Sequence, residues 1–314
     1  MEGHTPVLLN EVLENLCLKP GSLMIDATVG GGGHIMAAAA KFPKAKFLGI
    51  DWDQASLEKL KQKLVQDGLG KIKLAAGNYS KLKPIAQDSG FDKADAILLD
   101  LGLSSIQLDD PSRGFSFQRK GPLDMRFDRS AGITAADILN TYPETKLTEI
   151  FYKYGEDSFS KKIAHNIVRE RALSPITGTD QVFRLIEKAL PKPVRHRAND
   201  SARRIFQALR IEVNHELDNL AEFLPQALEF LNPGGRLLII SFHSLEDRMV
   251  KRFFLEKSKG CVCPKEFPIC VCGKTSEMRI ITRKPVTAGE SEQNINPRSK
   301  PAKLRVAEKV TNKH

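Results

Sequence analysis

Four short apolar runs in the first hundred residues, with helical spacing between them, constrain the fold more than any other feature. Leu23-Met24-Ile25-Asp26 reads as a first buried strand and Phe47-Leu48-Gly49-Ile50-Asp51 as a second. Ile72 to Ala76 is a weaker third, and Ala96-Ile97-Leu98-Leu99-Asp100 an unambiguous fourth. Between the first two, the glycine run Gly30 to Gly33 opens into His34-Ile35-Met36-Ala37-Ala38-Ala39-Ala40, a tight loop and a helix start. After the second, Leu57, Leu60 and Leu64 recur at helical spacing. Strand and helix in this rhythm are the pattern of βαβ units and a parallel sheet, one half of a doubly wound α/β fold.

After Asp100 the alternation stops. A polar, glycine-bearing stretch runs to about Asp128, followed by helical patterns such as Ile163 with Ile167 and Val182 with Leu185 and Ile186. The α/β pattern resumes with Val213, Leu217, Leu220, Leu224 and Leu228, a helix stopped by Asn232-Pro233-Gly234-Gly235 before the strand Leu237-Leu238-Ile239-Ile240-Ser241. Residues 258–300 are loop-rich, with strand-like Met278 to Thr282 and a final Lys303 to Ala307. The expected organisation is a Rossmann-like α/β sheet domain over 1–105 and 213–314, interrupted by an inserted, mainly helical domain over 106–212.

The net charge of +10 is unevenly placed. Residues 1–100 carry 12 basic and 12 acidic groups and residues 101–250 carry 21 and 20, whereas the last 64 carry 15 and 6. Inside the insertion, residues 160–211 hold 12 basic groups against 4 acidic ones. Localised positive charge is the footprint of a polyanionic partner, most commonly nucleic acid, with a merely solvated basic surface as the alternative. At 41% hydrophobic and 27% charged residues the chain falls outside the disordered and collagen-like classes. Its N-terminus lacks a basic leader region, no apolar run approaches the roughly 18 to 20 residues of a membrane span, and five cysteines are too few and odd in number for a secreted disulfide framework. The expectation is a soluble cytoplasmic protein without membrane association.

A glycine-rich turn after a first strand lets a ligand approach the backbone and aims the next helix's N–H groups at it. The dinucleotide fingerprint fails, because counting from Gly30 or Gly31 its last glycine falls on Ile35 or Met36. A P-loop fails too, since no Gly-Lys-Ser/Thr follows. What remains, Asp26-Ala27-Thr28-Val29-Gly30-Gly31-Gly32-Gly33, resembles the first motif of class I S-adenosylmethionine-dependent methyltransferases, with Thr28 where many members have glycine. Asp51, at the end of the second strand, is placed to accept hydrogen bonds from ribose hydroxyls. A ligand-free turn and a helix-capping Asp51 are the plainer alternatives.

The residues after the fourth strand, Asp100-Leu101-Gly102-Leu103-Ser104-Ser105, lack the Asp/Asn-Pro-Pro-aromatic run of many base-amine methyltransferases. A cytosine C5 mechanism needs a cysteine nucleophile, and no Cys lies between Cys17 and Cys261. The segment from Gln107 to Asp128 interleaves three Phe with basic groups, among them Arg113, Phe115 and Arg126. Aromatics that stack bases beside cations that bind phosphate suit an extruded or single-stranded nucleotide, while the composition fits a structured loop with buried Phe equally well.

The whole run resembles the 16S ribosomal RNA cytosine-N4 methyltransferases, the MraW or RsmH family. The resemblance extends from His4-Thr5-Pro6-Val7-Leu8-Leu9 through Gly31-Gly32-Gly33-His34, residues 99–128, Tyr154-Gly155-Glu156 and Arg204 to Ile211. It continues through Asn232-Pro233-Gly234-Gly235-Arg236, Ser241 to Arg248, Asn296-Pro297-Arg298-Ser299 and Lys303-Leu304-Arg305, and so covers essentially the whole chain. It implies methyl transfer from S-adenosylmethionine to N4 of a cytidine in the decoding region of small-subunit rRNA. It places the donor site on Gly32, Gly33, His34, Asp51, Tyr79, Asp100 and Gln107. A methyltransferase for another RNA or a protein, and a non-catalytic assembly factor on the same fold, are the competing readings, and a homodimer is left open.

An activated sulfonium methyl asks for positioning and for an acceptor that localises the amine lone pair. Asp124 and His243 are the candidates, against a salt-bridge role for Asp124 with Arg126 or Arg129 and a hydrogen-bonded loop role for His243. Arg195, Arg197, Arg203 and Arg204, with the basic C-terminal stretch, are candidate rRNA phosphate contacts. Cys261-Val262-Cys263 and Cys270-Val271-Cys272 can form a tetrahedral zinc site or stay reduced loop thiols, since Cys-x-Cys is tighter than the usual Cys-x-x-Cys. The resemblance implies no metal requirement for activity, and no metal is assigned.

Overall fold

A computed structural model describes residues 6–103, 105–261, 263–264, 269 and 271–310. Two compact units divide the chain, Met1–Gly102 with Asn219–His314, and Leu103–Asp218. The first unit holds a seven-stranded sheet of β1 (Leu23–Asp26), β2 (Lys46–Asp51), β3 (Lys73–Ala76), β4 (Ala94–Asp100), β5 (Leu231–Ser241), β6 (Met278–Ile280) and β7 (Lys303–Lys309). Their order is β3-β2-β1-β4-β5-β7-β6. β1 to β5 are parallel, and β7 runs antiparallel between β5 and β6.

Side chains alternate across a strand, and here both faces are covered, which is why the strands read as unbroken apolar runs. Ile25, Leu48, Ile50, Ile97, Leu99 and Ile239 pack with Leu220, Phe223 and Phe254 on one face. Met24, Phe47, Leu98, Leu238 and Ile240 pack with Ile35, Leu57, Leu60 and Leu64 on the other. Strand order reverses between β1 and β4, and a ligand crevice in such sheets opens beyond the carboxyl ends of the strands at that switch point. Asp26, Asp51 and Asp100 are the last residues of β1, β2 and β4.

Three local expectations shift. The Asn232–Gly235 turn lies inside β5 as a bulge: Ala94 and Ala96 of β4 pair with Leu231 and Arg236, and Gly234 takes φ 79°. β6 ends at Ile280 because Ile281 and Thr282 both donate to the Val306 carbonyl, at 3.0 and 3.2 Å, and the ladder cannot continue. Val213 belongs to the helix Ala198–Asn214, which His215 closes in the left-handed region at φ 51° before Glu216–Phe230 begins. The division between units accordingly falls at Asp218 and Asn219, beyond the expected boundary at 213.

The second unit is built on the helices Ala135–Thr141, Glu144–Gly155, Ser160–Arg171, Thr179–Ala189 and Ala198–Asn214. Thr134 and Asp137 form a capping box at the start of the first. Gly155 lets the second helix approach the fifth: a β-carbon there would stand 3.0 Å from the Arg204 carbonyl. Among the described residues, no helix is long and apolar enough to cross a membrane.

Candidate active site

The turn after β1 is tied to the ends of β2 and β4 by side chains of its own motif. Asp26 Oδ1 accepts from Thr28 N–H at 3.2 Å, and Thr28 Oγ1 accepts from Asp100 N–H at 2.7 Å. The residue that departs from the glycine of many methyltransferases therefore locks β4 to the turn. Asp51 Oδ2 accepts from Gly30 N–H at 2.8 Å and Oδ1 from Asp53 N–H at 3.0 Å. A carboxylate has about four lone-pair sites, so Asp51 keeps capacity for ribose hydroxyls while shaping the turn. Gly32 takes φ 80°, and a β-carbon on it would collide with the Leu60 side chain; one on Gly33 would collide with Pro6. Gly31 faces open space.

His34 lies in the first turn of the helix Gly33–Lys41 and is buried. Its Nε2–H donates to the Val7 carbonyl at 3.0 Å, which leaves Nδ1 as the acceptor, 3.8 Å from Asp100 Oδ2. Burial pulls its pKa down to about 4 against that hydrogen bond, so the ring is neutral at physiological pH. Tyr79, also buried, meets Trp52 edge-on at 6.2 Å and Phe223 at 5.7 Å. Trp52 directly follows Asp51 in the sequence.

Three carboxylates crowd these strand ends, and burial raises all of them. Burial pushes Asp26 up to about 7, against its Thr28 N–H bond and with help from the Asp51 charge. Asp100 is raised well above its ordinary value of 3.8 by burial and then by the charges of Asp26 and Glu246. Asp51 is raised by burial against the N–H donors of Asp53 and Gly30. Asp100 Oδ1 is buried with no hydrogen-bond partner among the described residues. Carboxylates in this state are stabilised by a ligand that brings positive charge or N–H donors. S-adenosylmethionine, with its sulfonium, ammonium and ribose hydroxyls, fits that demand.

His243 follows β5 as the N-cap of the helix Ser244–Ser258. Its Nδ1 accepts from Glu246 N–H at 3.4 Å, and its Nε2 stands 3.1 Å from Glu246 Oε1 without hydrogen-bond geometry. The Glu246 carboxylate accepts in return from the N–H groups of Phe242 and His243, at 2.8 and 3.3 Å. Both ring nitrogens thus face the cap.

The remaining candidates lie in the second unit. Gln107 is buried in the short helix Ser105–Asp109. Asp124 is buried and meets four donors: Arg126 N–H at 3.1 Å, Arg126 Nε at 2.9 Å, Arg126 Nη2 at 3.0 Å and Arg129 Nε at 3.4 Å. Burial raises the Asp124 pKa, but the Arg126 hydrogen bonds and the two guanidinium charges outweigh it and hold it below the usual carboxylate range. Arg113 donates to the carbonyls of Arg126 and Phe127, both at 2.9 Å, and lies over the Phe115 ring. Phe115 is buried against Phe127, and Phe117 stacks on Phe183 at 5.5 Å. Within this loop Phe115 and Phe127 are buried and Phe117 is half-buried. Gly114 and Gly121 make that loop possible, because a β-carbon on either would strike the carbonyl of Pro122 or Pro111.

Arg195 and Arg197 are exposed in the 3-10 turn Lys192–Arg197 and make no ion pair among the described residues. Arg203 pairs with Asp200 at 3.0 Å, and Arg204 lies 3.9 Å from Asp157. Sequence reasoning missed Trp52 and the linking role of Thr28; the first is the chain's single Trp beside a strand-end acid, and the second is the motif's departure from glycine.

The ribosomal RNA small subunit methyltransferase H of Carboxydothermus hydrogenoformans is 46% identical to this chain over 309 residues, covering 98% of each chain. Its counterpart in Heliobacterium mobile is 47% identical over 309 residues, 98% of this chain and 99% of that one. A crystal structure of a putative rRNA methylase from Clostridium thermocellum, 14% identical, covers 98% of this chain and 100% of that one with a TM-score of 0.43. With residues 1–310 matching its pattern, the chain belongs to the MraW methylase family, a family of S-adenosylmethionine-dependent methyltransferases.

Proposed function

We propose that this chain methylates the exocyclic N4 of a cytidine in the decoding region of 16S rRNA. The observation that carries the reading is the cluster of carboxylates with raised pKa, buried Asp26 and half-buried Asp51 and Asp100, around a glycine turn, joined to relatives named for small-subunit rRNA methylation. S-adenosylmethionine supplies an already activated methyl group. The turn from Gly30 to His34 offers its backbone to the donor, Asp51 receives the ribose hydroxyls, and Trp52 with Tyr79 forms the aromatic wall for the base.

The acceptor for the amine is best sought at Asp100. It occupies the strand end at which base-amine methyltransferases present their acceptors, and its Oδ1 is unpartnered among the described residues. Asp124 has four donors on its oxygens, and the His243 ring serves the helix cap, so in this reading both are positioning residues. Gln107 completes the donor-binding set. Arg195, Arg197, Arg203 and Arg204 meet rRNA phosphates, and Arg113, Phe115 and Arg126 shape the loop that presents the nucleotide.

The test is transfer from labelled S-adenosylmethionine to small ribosomal subunits, or their naked rRNA, from cells lacking this gene, read by nucleoside mass spectrometry. N4-methylcytidine that disappears with Asp51→Ala and with Asp100→Asn is the expected result. A methylated nucleoside of another kind overturns the site assignment. Donor binding without transfer to any small-subunit substrate moves the chain to the non-catalytic assembly class.

A further inference from the structure

The stretch between the helix Ser244–Ser258 and β6 brings three cysteines together. The sulfurs of Cys261, Cys263 and Cys272 all lie within 4.8 Å of one another, and those of Cys261 and Cys272 are 3.8 Å apart. A tetrahedral zinc thiolate with Zn–S bonds of about 2.3 Å has sulfur-to-sulfur edges of about 3.8 Å, whereas a disulfide needs about 2.05 Å. Backbone amides converge on the same sulfurs. Cys263 N–H donates to Cys261 Sγ at 3.3 Å, and Val271 N–H donates to Cys263 Sγ at 3.4 Å. A thiol is a weak acceptor, and amide donors of this kind orient and stabilise a metal-bound thiolate.

Nor is the loop anchored by burial at its described residues. Irregular connections longer than about 12 to 15 residues are uncommon in compact domains. Among the described residues of 259–277 none is buried, and Ile269 and Val271 are 75% and 73% exposed. Where a segment has no core to bury, a bound metal takes over the role of cross-link.

We propose that Cys261, Cys263 and Cys272 hold one structural zinc ion that fixes this loop against the edge strand. Thiolate ligands select a soft or borderline divalent ion, and three of them converging suit zinc in a tetrahedral setting. Cys270, the fourth thiol of the paired Cys-x-Cys motif, lies outside the described residues and forms no part of the geometric case. None of the carboxylates at the strand ends is a ligand, so the role assigned to the ion is structural.

The full chain, purified without chelator from zinc-containing medium, is expected to carry about one zinc per molecule by elemental analysis. A cobalt-loaded sample is expected to show the sulfur-to-metal charge-transfer and visible bands of a tetrahedral thiolate centre. Cys261→Ser with Cys272→Ser is expected to lower bound zinc at least tenfold, while Cys17→Ser leaves it unchanged. Should the double variant fail to fold, the wild-type chain decides: an organomercurial titration is expected to release zinc in step with thiol modification. A chain that carries no zinc and gives no cobalt–thiolate bands overturns the proposal. So does zinc retained in the double variant, or a two-hydrogen mass loss marking a disulfide in place of metal.

Discussion

Replacing Asp26 by Asn tests the electrostatics of the strand ends directly. The carboxyl is 1% exposed, and burial, added to by the Asp51 charge, raises its pKa from 3.8 to about 7. A group with a raised folded-state pKa holds its proton more tightly when folded. Its contribution is therefore fully present below the unfolded value near 3.8 and is lost as pH rises through about 7. At ~1.36 kcal/mol per unit, the ionised carboxylate costs the ligand-free unit about 4 kcal/mol at pH 8 and about 1 kcal/mol at pH 4.5. Asn keeps an acceptor for the Thr28 N–H at 3.2 Å, fills a similar volume and carries no charge. Asp26→Asn is accordingly expected to stabilise the ligand-free chain by about 2 to 4 kcal/mol at pH 8, allowing for the new amide's own hydrogen-bonding needs, with most of that gain gone at pH 4.5. Urea unfolding followed by Trp52 fluorescence reads this unit alone, since Trp52 is the only tryptophan of the chain. A variant less stable than wild type at both pH values, or a gain independent of pH, refutes the reasoning.

Gly32→Ala forces a side chain into φ 80° against Leu60 and is expected to cost about 1 to 2 kcal/mol and to weaken S-adenosylhomocysteine binding at least tenfold by calorimetry. Gly31→Ala, facing open space, is the control, and equal losses in the two variants contradict the steric account. The lowered pKa of His34 favours the neutral ring: the stability it contributes is present above the unfolded value of 6.5 and is lost as pH falls through about 4. Its NMR signals should therefore show the Nε2–H tautomer with no titration near neutrality, and a midpoint near 6.5 would count against burial as the cause. Asp124→Asn leaves Arg126 and Arg129 facing a neutral amide, and a loss of about 2 to 4 kcal/mol is expected in urea unfolding monitored by circular dichroism. Because the Asp124 pKa is depressed, that contribution is present in the wild type above the ordinary carboxylate value and fades as acid approaches the lower one; an unchanged midpoint at pH 7 would show that the pair contributes nothing. Arg195→Glu with Arg197→Glu is expected to weaken rRNA binding by about 10- to 100-fold and to reduce the salt slope by about 2, with donor affinity unchanged. A loss confined to one sequence context would mark these arginines as base readers instead.

The parts of the fold legible in the residue pattern are those where burial on two faces writes an unbroken apolar run, as in β1, β2 and β4. Periodicity failed at Val213 because Leu217, Leu220, Leu224 and Leu228 continue its spacing across a backbone break at His215 that side-chain hydropathy does not encode. The aromatic and basic composition of residues 107–128 was equally ambiguous. Whether Phe115 faces a nucleotide or its own loop depends on the close approaches at Gly114 and Gly121, which fold the segment inward.

The same limit governs the acids of the site, and it explains why a proton acceptor is hard to choose from a sequence. Asp100 and Asp124 are both aspartates close to glycines in motifs of the same family, and nothing in their spacing ranks one above the other. Their surroundings do. Asp124 sits under two guanidinium groups that saturate its oxygens and lower its pKa, so it is a carboxylate already committed to holding a loop. Asp100 is half-buried beside two further acids, its pKa is raised, and its buried Oδ1 is unpartnered among the described residues. An oxygen in that condition lowers its energy only when a donor arrives. A base amine and a cationic methyl donor each bring one, so the acid with an unpartnered buried oxygen, and not the well-paired one, has the most to gain from the substrates of this reaction.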